Sequence, residues 1–282
     1  MASKEDRFIF ISNLLKCQLE MLRNREDSLT ELYDICENKD QLELVKELIT
    51  DFSEMNDEVY NLCLLEMANV IIGKGFSLDE CFVVAMAHDH TPDSSQNVLQ
   101  DLKLHLGMKG FPSKNYCNRI DRSWKKDFLH IRHFFVVDDF VGSGSTVLNR
   151  KKEFERRMNE MHRPFTLHFV TVAGMKFAID YLCQQGVDLF CCYPLLKGIS
   201  EKYPTGEVEH KLAIMGQLEA KLASKVNSTS LSDYHLGYKE SESLFCRRNR
   251  NIPNNVFPLF WWKGYADGIK RNTLYTRVQD GY

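Results

Sequence analysis

The chain has 282 residues, 44% hydrophobic and 27% charged, with a formal net charge of -3. These proportions supply a sizeable core and exclude the strongly basic field of a general nucleic-acid binder. The first residues, Met1-Ala2-Ser3-Lys4-Glu5-Asp6-Arg7, lack the cationic start and apolar run of a secretory signal. No apolar stretch approaches the roughly 20 residues that span a bilayer, so a cytoplasmic protein with no membrane partner is expected.

Residues 1–75 read as helical. Leu42, Val45, Ile49 and Phe52 recur at helical spacing, as do Val59, Leu62, Cys63 and Val70. No proline or glycine interrupts the segment before Gly73, which with Gly75 supplies the stop. The texture changes at Cys81, where 81–87 is a continuous apolar run followed by the polar turn 88–95. A helix over 96–106 is expected next, capped by Ser94 or Ser95. The stretch 107–126 is polar and basic, with Lys109, Lys114, Arg119, Arg122, Lys125 and Lys126, and reads as a long loop with one short element at most.

Further buried-strand runs lie at 131–137, 165–173 and 187–193, separated by helices over about 147–161 and 175–185. Strands apolar along most of their length, alternating with helices, indicate a parallel sheet covered on both faces. A doubly wound α/β fold follows, with ligands expected outside the C-terminal strand ends, beyond 87, 137, 173 and 193. Another helix is expected over 207–226, with a loop-rich, aromatic remainder. The expected organisation is a helical segment 1–75, an α/β core 76–205, and a helix with a C-terminal extension over 206–282. Nine cysteines with no CxxC pair read as free thiols in a reducing compartment.

The most informative segment runs Phe134-Phe135-Val136-Val137-Asp138-Asp139-Phe140-Val141-Gly142-Ser143-Gly144-Ser145-Thr146. A buried strand delivers two adjacent carboxylates to the sheet edge, and a small-residue turn then opens a helix. Gly142 and Gly144 permit unusual backbone angles and close approach. Successive amides in such a turn form an anion nest, the helix adds its positive end, and Ser143, Ser145 and Thr146 bring hydroxyl donors. Acids beside a phosphate nest suit a ligand that also carries hydroxyl groups, as a phosphorylated sugar does. A triphosphatase phosphate loop needs lysine where Ser145 stands, and a dinucleotide fingerprint needs glycine where Val147 stands.

This segment resembles the phosphoribosyl pyrophosphate (PRPP) motif of type I phosphoribosyltransferases. The resemblance implies that fold and ribosyl-transfer chemistry at PRPP or a related ribosyl phosphate. It implies that Asp138 and Asp139 meet the ribose 2′- and 3′-hydroxyls, and that Gly142, Ser143, Gly144, Ser145 and Thr146 hold the 5-phosphate. It implies Mg²⁺ bridging the pyrophosphate oxygens, with no direct protein ligation. The turn at His88 and Asp89 corresponds to the pyrophosphate side, and 107–126 to a hood over the site. Purine-salvage members carry an acid where Gly142 stands, which argues against that subclass.

Residues 236–262 are similar to the tail of bacterial phosphoribosyltransferase-like proteins with a C-terminal extension, a group found in conflict and anti-phage systems, including some retrons. That similarity implies an effector role and a protein or ribonucleoprotein partner. A homo-oligomer stays open, as does a non-catalytic module that senses PRPP or a nucleotide. His88-Asp89-His90 lacks a third metal ligand at recognisable spacing and reads as a polar turn. Arg247, Arg248 and Arg250, near Tyr238, Phe245, Trp261 and Trp262, fit either a packed tail with a charged rim or contact with a partner or nucleic acid.

Overall fold

A computed structural model describes residues 4–16, 22, 25–88, 93–124 and 128–278. In chain order the elements begin with helices α1 (Lys4–Lys16), α2 (Glu26–Asp34) and α3 (Lys39–Thr50), then strand β1 (Ser53–Met55). There follow α4 (Asp57–Gly73), β2 (Cys81–Ala85), α5 (Ser94–Gly107), β3 (Tyr116–Cys117), β4 (His133–Val141), α6 (Ser145–Glu160), β5 (Thr166–Met175), α7 (Lys176–Gln184) and β6 (Asp188–Leu195). The last are α8 (Thr205–Glu219), β7 (Lys225–Val226), β8 (Thr229–Ser230) and β9 (Phe245–Arg247). These elements form two compact units, one of residues 57–195 and one joining 1–56 to 196–282.

The continuous unit is a five-stranded sheet in the order β3-β2-β4-β5-β6, with every pair parallel. It is the α/β architecture expected from the apolar runs. β2 is buried at every position, and Phe134, Phe135, Val136 and Val137 of β4 are fully enclosed. Strands so buried need helices over both faces, and the α5, α6 and α7 crossovers supply them. From β2 the chain steps outward to β3, then returns past β2 to β4 and continues to β6. The winding therefore reverses between β2 and β4, where the C-terminal ends of such strands open a crevice.

Several expectations shift in detail. α4 packs on α5, β5 and β6, so it belongs with the sheet rather than with the N-terminal helices. Its buried stripe is Tyr60, Cys63, Leu64, Met67, Ala68 and Ile71, whereas Leu62 is 59% exposed. The stretch 107–126 is less loose than its composition suggests. The buried Asn115 side chain donates to the carbonyls of Leu78, Asp79 and Cys81, and β3 then pairs along β2. The expected helix over 207–226 ends at Glu219; Leu222 instead bridges to Tyr265, and Val226 lies in β7.

The second unit brings residues distant in sequence into one core. Phe52 stacks on Tyr275 at 4.6 Å and meets Phe260 edge-on at 5.8 Å. Lys221 donates to the Ile35 carbonyl at 2.6 Å, Lys211 pairs with Glu47 at 2.8 Å, and β1 pairs in parallel with β9. Trp261 and Trp262 are buried, and their indole N–H groups donate to the carbonyls of Val256 and Ala223 at 2.9 and 2.8 Å. Residues 1–56 and 196–282 are therefore one body, without the α4 part of the expected helical segment. Among the described residues no helix is long and apolar enough to cross a membrane.

Glu242 is one of the buried polar groups that hold this unit. It is 2% exposed, has φ 50°, and accepts from the amides of Ile199 at 2.9 Å and Ser200 at 2.7 Å, and from the Ser200 hydroxyl. Removing the carboxylate leaves buried donors without acceptors, a loss of about 1–3 kcal/mol for such a group. Glu242→Ala is expected to lower the urea-unfolding free energy by about 3 kcal/mol, with Glu242→Gln losing less because an acceptor oxygen remains.

Candidate functional site

β4 carries the site. It runs through both aspartates to Val141, longer than the apolar run alone indicates, and pairs with β5 from His133↔Thr166 to Val141↔Gly174. Gly174 permits this close approach at the strand ends, since a Cβ there would stand 3.1 Å from the Val141 carbonyl oxygen. An isolated glycine inside a strand pattern is the sequence signal for such contact.

Asp138 and Asp139 are half-buried at this edge, and the Asp139 amide donates to Asp138 Oδ1 at 2.9 Å. Burial pushes the Asp138 carboxyl well above the usual range, and the charges of Asp139 and Asp93 push it further. Asp139 is also raised, first by burial, while the Ser94 hydroxyl hydrogen bond works against the shift. The second strand thus contributes too. Asp93, rather than Ser94 or Ser95, caps α5, accepting from the Ser95 amide at 2.8 Å. The buried Ser95 hydroxyl donates to Asp93 and accepts from the Ala87 amide. The sequence held the signal for Asp93, an acid just before a helical run. Its convergence with 138–139 depends on strand order, which no local pattern displays.

Beyond β4 the bend occupies only 142–144, and α6 starts at Ser145. Of the two loop glycines, Gly144 adopts the left-handed conformation, with φ 78°. A Cβ on it would also lie 3.1–3.3 Å from the Leu182 side chain of α7. Gly144 is the N-cap of α6, whose end has no side-chain cap and no acidic residue in its first turn. The positive end of the helix is thus not neutralised by its own first turn. Ser143 and Ser145 bring their hydroxyls to 3.2 Å, Gly142, Ser143 and Ser145 are half-buried, and Thr146 is exposed. The structure therefore brings paired acids and an anion-suited bend together at the end of one strand.

His88 lies past β2, with Nε2 3.1 Å from Glu153 of α6; Asp89 lies outside the described residues. In the basic stretch, Arg119 grips Asp121 with two guanidinium nitrogens and Arg122 lies 3.8 Å from the same carboxylate. The Arg119 hydrogen bond, against burial, holds the Asp121 carboxyl below its usual range. These two arginines are engaged within the stretch itself, while Lys109 and Lys114 are exposed and Lys125 and Lys126 lie outside the described residues. No three-ligand metal cluster occurs among the described residues.

With this geometry in view, comparison with known proteins is informative. The family described as PRTase-CE matches residues 35–277. The chain belongs to the PRTase-CE family. The match covers the α/β unit and, of the second unit, residues 35–56 and 196–277. No curated protein gives a match. Similar solved structures include an orotate phosphoribosyltransferase from Aeropyrum pernix, 15% identical over 46% of this chain and 68% of that one, with a TM-score of 0.32. A Helicobacter pylori xanthine-guanine-hypoxanthine phosphoribosyltransferase is 13% identical over 51% and 88%, at 0.33. A Leishmania tarentolae HGPRT-ase in complex with GMP is 18% identical over 49% and 74%, at 0.32. Likeness of this order carries nothing about substrate.

Two outcomes follow for this PRTase-CE site. A carboxyl raised in the folded state stabilises the fold below its unfolded pKa, and that contribution is lost as pH rises through the folded value. Asp138→Asn, which keeps an acceptor for the Asp139 amide, is therefore expected to raise the thermal midpoint of the ligand-free protein at pH 7. The gain should vanish as pH falls to the ordinary aspartate value of about 4, as scanning calorimetry across pH will show. Separately, Gly144→Ala is expected to cost about 1–3 kcal/mol from strain and crowding. Adding Leu182→Ala should reduce the crowding but not the φ penalty, so a double-mutant cycle by denaturant unfolding separates the two.

Proposed function

We propose that this PRTase-CE chain binds PRPP or a closely related ribosyl phosphate at the end of β4 and transfers its ribosyl phosphate to an acceptor. The observation that carries the proposal is the pairing of Asp138 and Asp139 with an uncapped helix end behind a left-handed glycine, all at the reversal between β2 and β4. Hydroxyl donors of a ribose satisfy carboxylates, and backbone amides with helix polarity satisfy a phosphate. In this reading Gly142, Ser143, Gly144, Ser145 and Thr146 fix the 5-phosphate, and Asp138 and Asp139 orient the ring.

The reaction breaks the bond between the anomeric carbon and the pyrophosphate oxygen. The bonding pair leaves with pyrophosphate, and the acceptor's lone pair forms the new bond to the same carbon. Cationic character develops on the ribose in the transition state, and nearby carboxylates favour it. The hard oxygens of Asp93, Asp138 and Asp139 suit a divalent ion, but without a three-ligand cluster among the described residues the fit is to an ion held mainly by ligand oxygens and water. Mg²⁺ so held would neutralise the departing pyrophosphate. His88 and Asp89 are the candidates for that side. The finer reading, an effector in a bacterial anti-phage system with a protein or ribonucleoprotein partner, is supported by the similarity of residues 236–262 to tails found in such systems.

Calorimetric titration with PRPP and Mg²⁺, followed by measurement of pyrophosphate release, tests the site. Asp139→Asn is expected to weaken binding by about 1–3 kcal/mol, the worth of a hydrogen bond to a charged group. Thr146→Glu, at an exposed position, is expected to abolish binding by placing a carboxylate beside the phosphate nest. Undiminished PRPP binding in both variants would overturn the assignment. Tight binding with no release over any acceptor would replace the transferase with a PRPP sensor.

A further inference from the structure

The parallel sheet carries a second polar constellation, at the opposite end of β4 from Asp138 and Asp139. Its members stand at the starts of three neighbouring strands. His133 of β4 is level with Thr166 of β5, and His168 of β5 is level with Asp188 of β6. Residues two apart on a strand share a face, so Thr166 and His168 stand side by side. The Thr166 hydroxyl lies 2.8 Å from His168 Nε2, and His168 Nδ1 lies 2.6 Å from Asp188 Oδ2. On its other side the same hydroxyl lies 2.9 Å from His133 Nδ1. Phe76 stacks on the His133 ring at 3.7 Å, Phe135 stacks on His168 at 4.9 Å, and Lys74 Nζ is 2.7 Å from Asp188 Oδ2.

The direction of each hydrogen bond follows from what each group can offer. Burial pushes the Asp188 carboxyl up, but the hydrogen bonds from Lys74 and His168 outweigh it and hold the group below its usual range. An ionised carboxylate only accepts, so His168 Nδ1 carries a proton. Burial favours the neutral form of His168, which leaves a lone pair on Nε2. That lone pair accepts from the Thr166 hydroxyl. The threonine oxygen in turn accepts from the N–H at Nδ1 of His133, whose ring burial also favours as neutral. Thr166 therefore has a base for its proton and a donor for the negative charge its oxygen would acquire. A hydroxyl on an imidazole that a carboxylate orients is the arrangement that activates a nucleophile. His168 is buried, whereas Thr166 is exposed, so the base is sheltered while the oxygen can be reached.

The charges around the constellation cancel. Lys74 pairs with Asp188, and Arg132 stands 3.6 Å from Glu80. A neutral electrophile suits such a setting better than an anion. We propose that Thr166 is the nucleophile of an acyl-transfer site that takes small, uncharged carboxylic esters, separate from the 142–146 bend. The Thr166 oxygen attacks the ester carbonyl carbon, and its proton passes to His168 Nε2. The bond from that carbon to the leaving oxygen then breaks, and the leaving oxygen keeps the bonding pair and takes the proton from His168. The products are an O-acyl threonine and a free alcohol. Water that gives its proton to the same imidazole then releases the acid and restores the hydroxyl. Asp188 and Lys74 touch neither the ester nor the attacking oxygen and are positioning residues.

The experiment treats the full chain with p-nitrophenyl acetate, follows nitrophenolate by absorbance, and locates the acetyl group by peptide mass mapping. A burst of about one equivalent is expected, with the acetyl group on Thr166. Thr166→Val should remove the burst, Thr166→Ser should keep it, and His168→Gln should slow acylation about a hundredfold. The rate is expected to rise with pH as His168 loses its proton, with a midpoint below the ordinary histidine value of about 6.5, because burial depresses it. The Asp188 carboxylate works against that depression. Asp188→Asn should therefore move the midpoint further down as well as slow the reaction, which a loss of packing alone would not do. Thermal melts confirm that each variant is folded. Nitrophenolate release that Thr166→Val or His168→Gln leaves unchanged, or acetyl groups confined to lysines and cysteines, would overturn the inference and leave a polar ladder that only joins strands. Asp138, Asp139 and the 142–146 bend are intact in every variant, so none of these results bears on the PRPP proposal.

Discussion

Two like charges held side by side at the end of a buried strand are the constraint around which the α/β unit is organised. Asp138 and Asp139 follow four fully enclosed residues, and Asp93 adds a third negative charge from beyond β2. Burial and mutual repulsion raise the cost of ionising them, and the fold offsets only part of it, through the Asp139 amide and the Ser94 hydroxyl. Such an arrangement persists because the sheet around it is overdetermined. β4 is bonded to β2 over 133–137 and to β5 over 133–141, and its end is held close to β5 by the absence of a side chain at Gly174. A site that stores unfavourable electrostatics in the free protein is one that a ligand's hydroxyls or a cation can relieve.

The bend after β4 makes the same trade by steric means. Gly144 gives up side-chain packing so that the backbone can turn left-handed directly over Leu182, and α6 starts with its polar end unsatisfied by any cap of its own. Asn38 closes the start of α3 and Asp93 that of α5, whereas α2, α7 and α8, like α6, start without a side-chain cap.

Much of this was legible in the sequence, and the losses have physical reasons. Continuous apolar runs disclosed β2, β4 and β5, because a strand buried on both faces leaves no alternation to misread; the run at β6 disclosed a strand too, but one at the sheet edge with no buried residue. The acidic pair and glycine bend were legible because their chemistry is local. The short β3 was not, since two residues of edge strand carry no period, and Asn115, which anchors it, looks like any loop amide. The phase of α4 was misjudged at Leu62 because that helix is apolar on several sides. The joining of the N-terminal helices to the aromatic tail was invisible for a different reason. Contacts such as Phe52 with Tyr275 link positions far apart in the chain, and local pattern says nothing about them.

That pairing of distant stretches has a temporal consequence. The α/β unit is one uninterrupted run, so every strand of its sheet is available once residue 195 has been synthesised. The other body cannot close until β9 reaches β1 and Tyr275 reaches Phe52. On a ribosome, α2 and α3 must therefore wait with their apolar faces uncovered while more than half of the protein is made. The body that carries Trp261 and Trp262 is the last to acquire its shape.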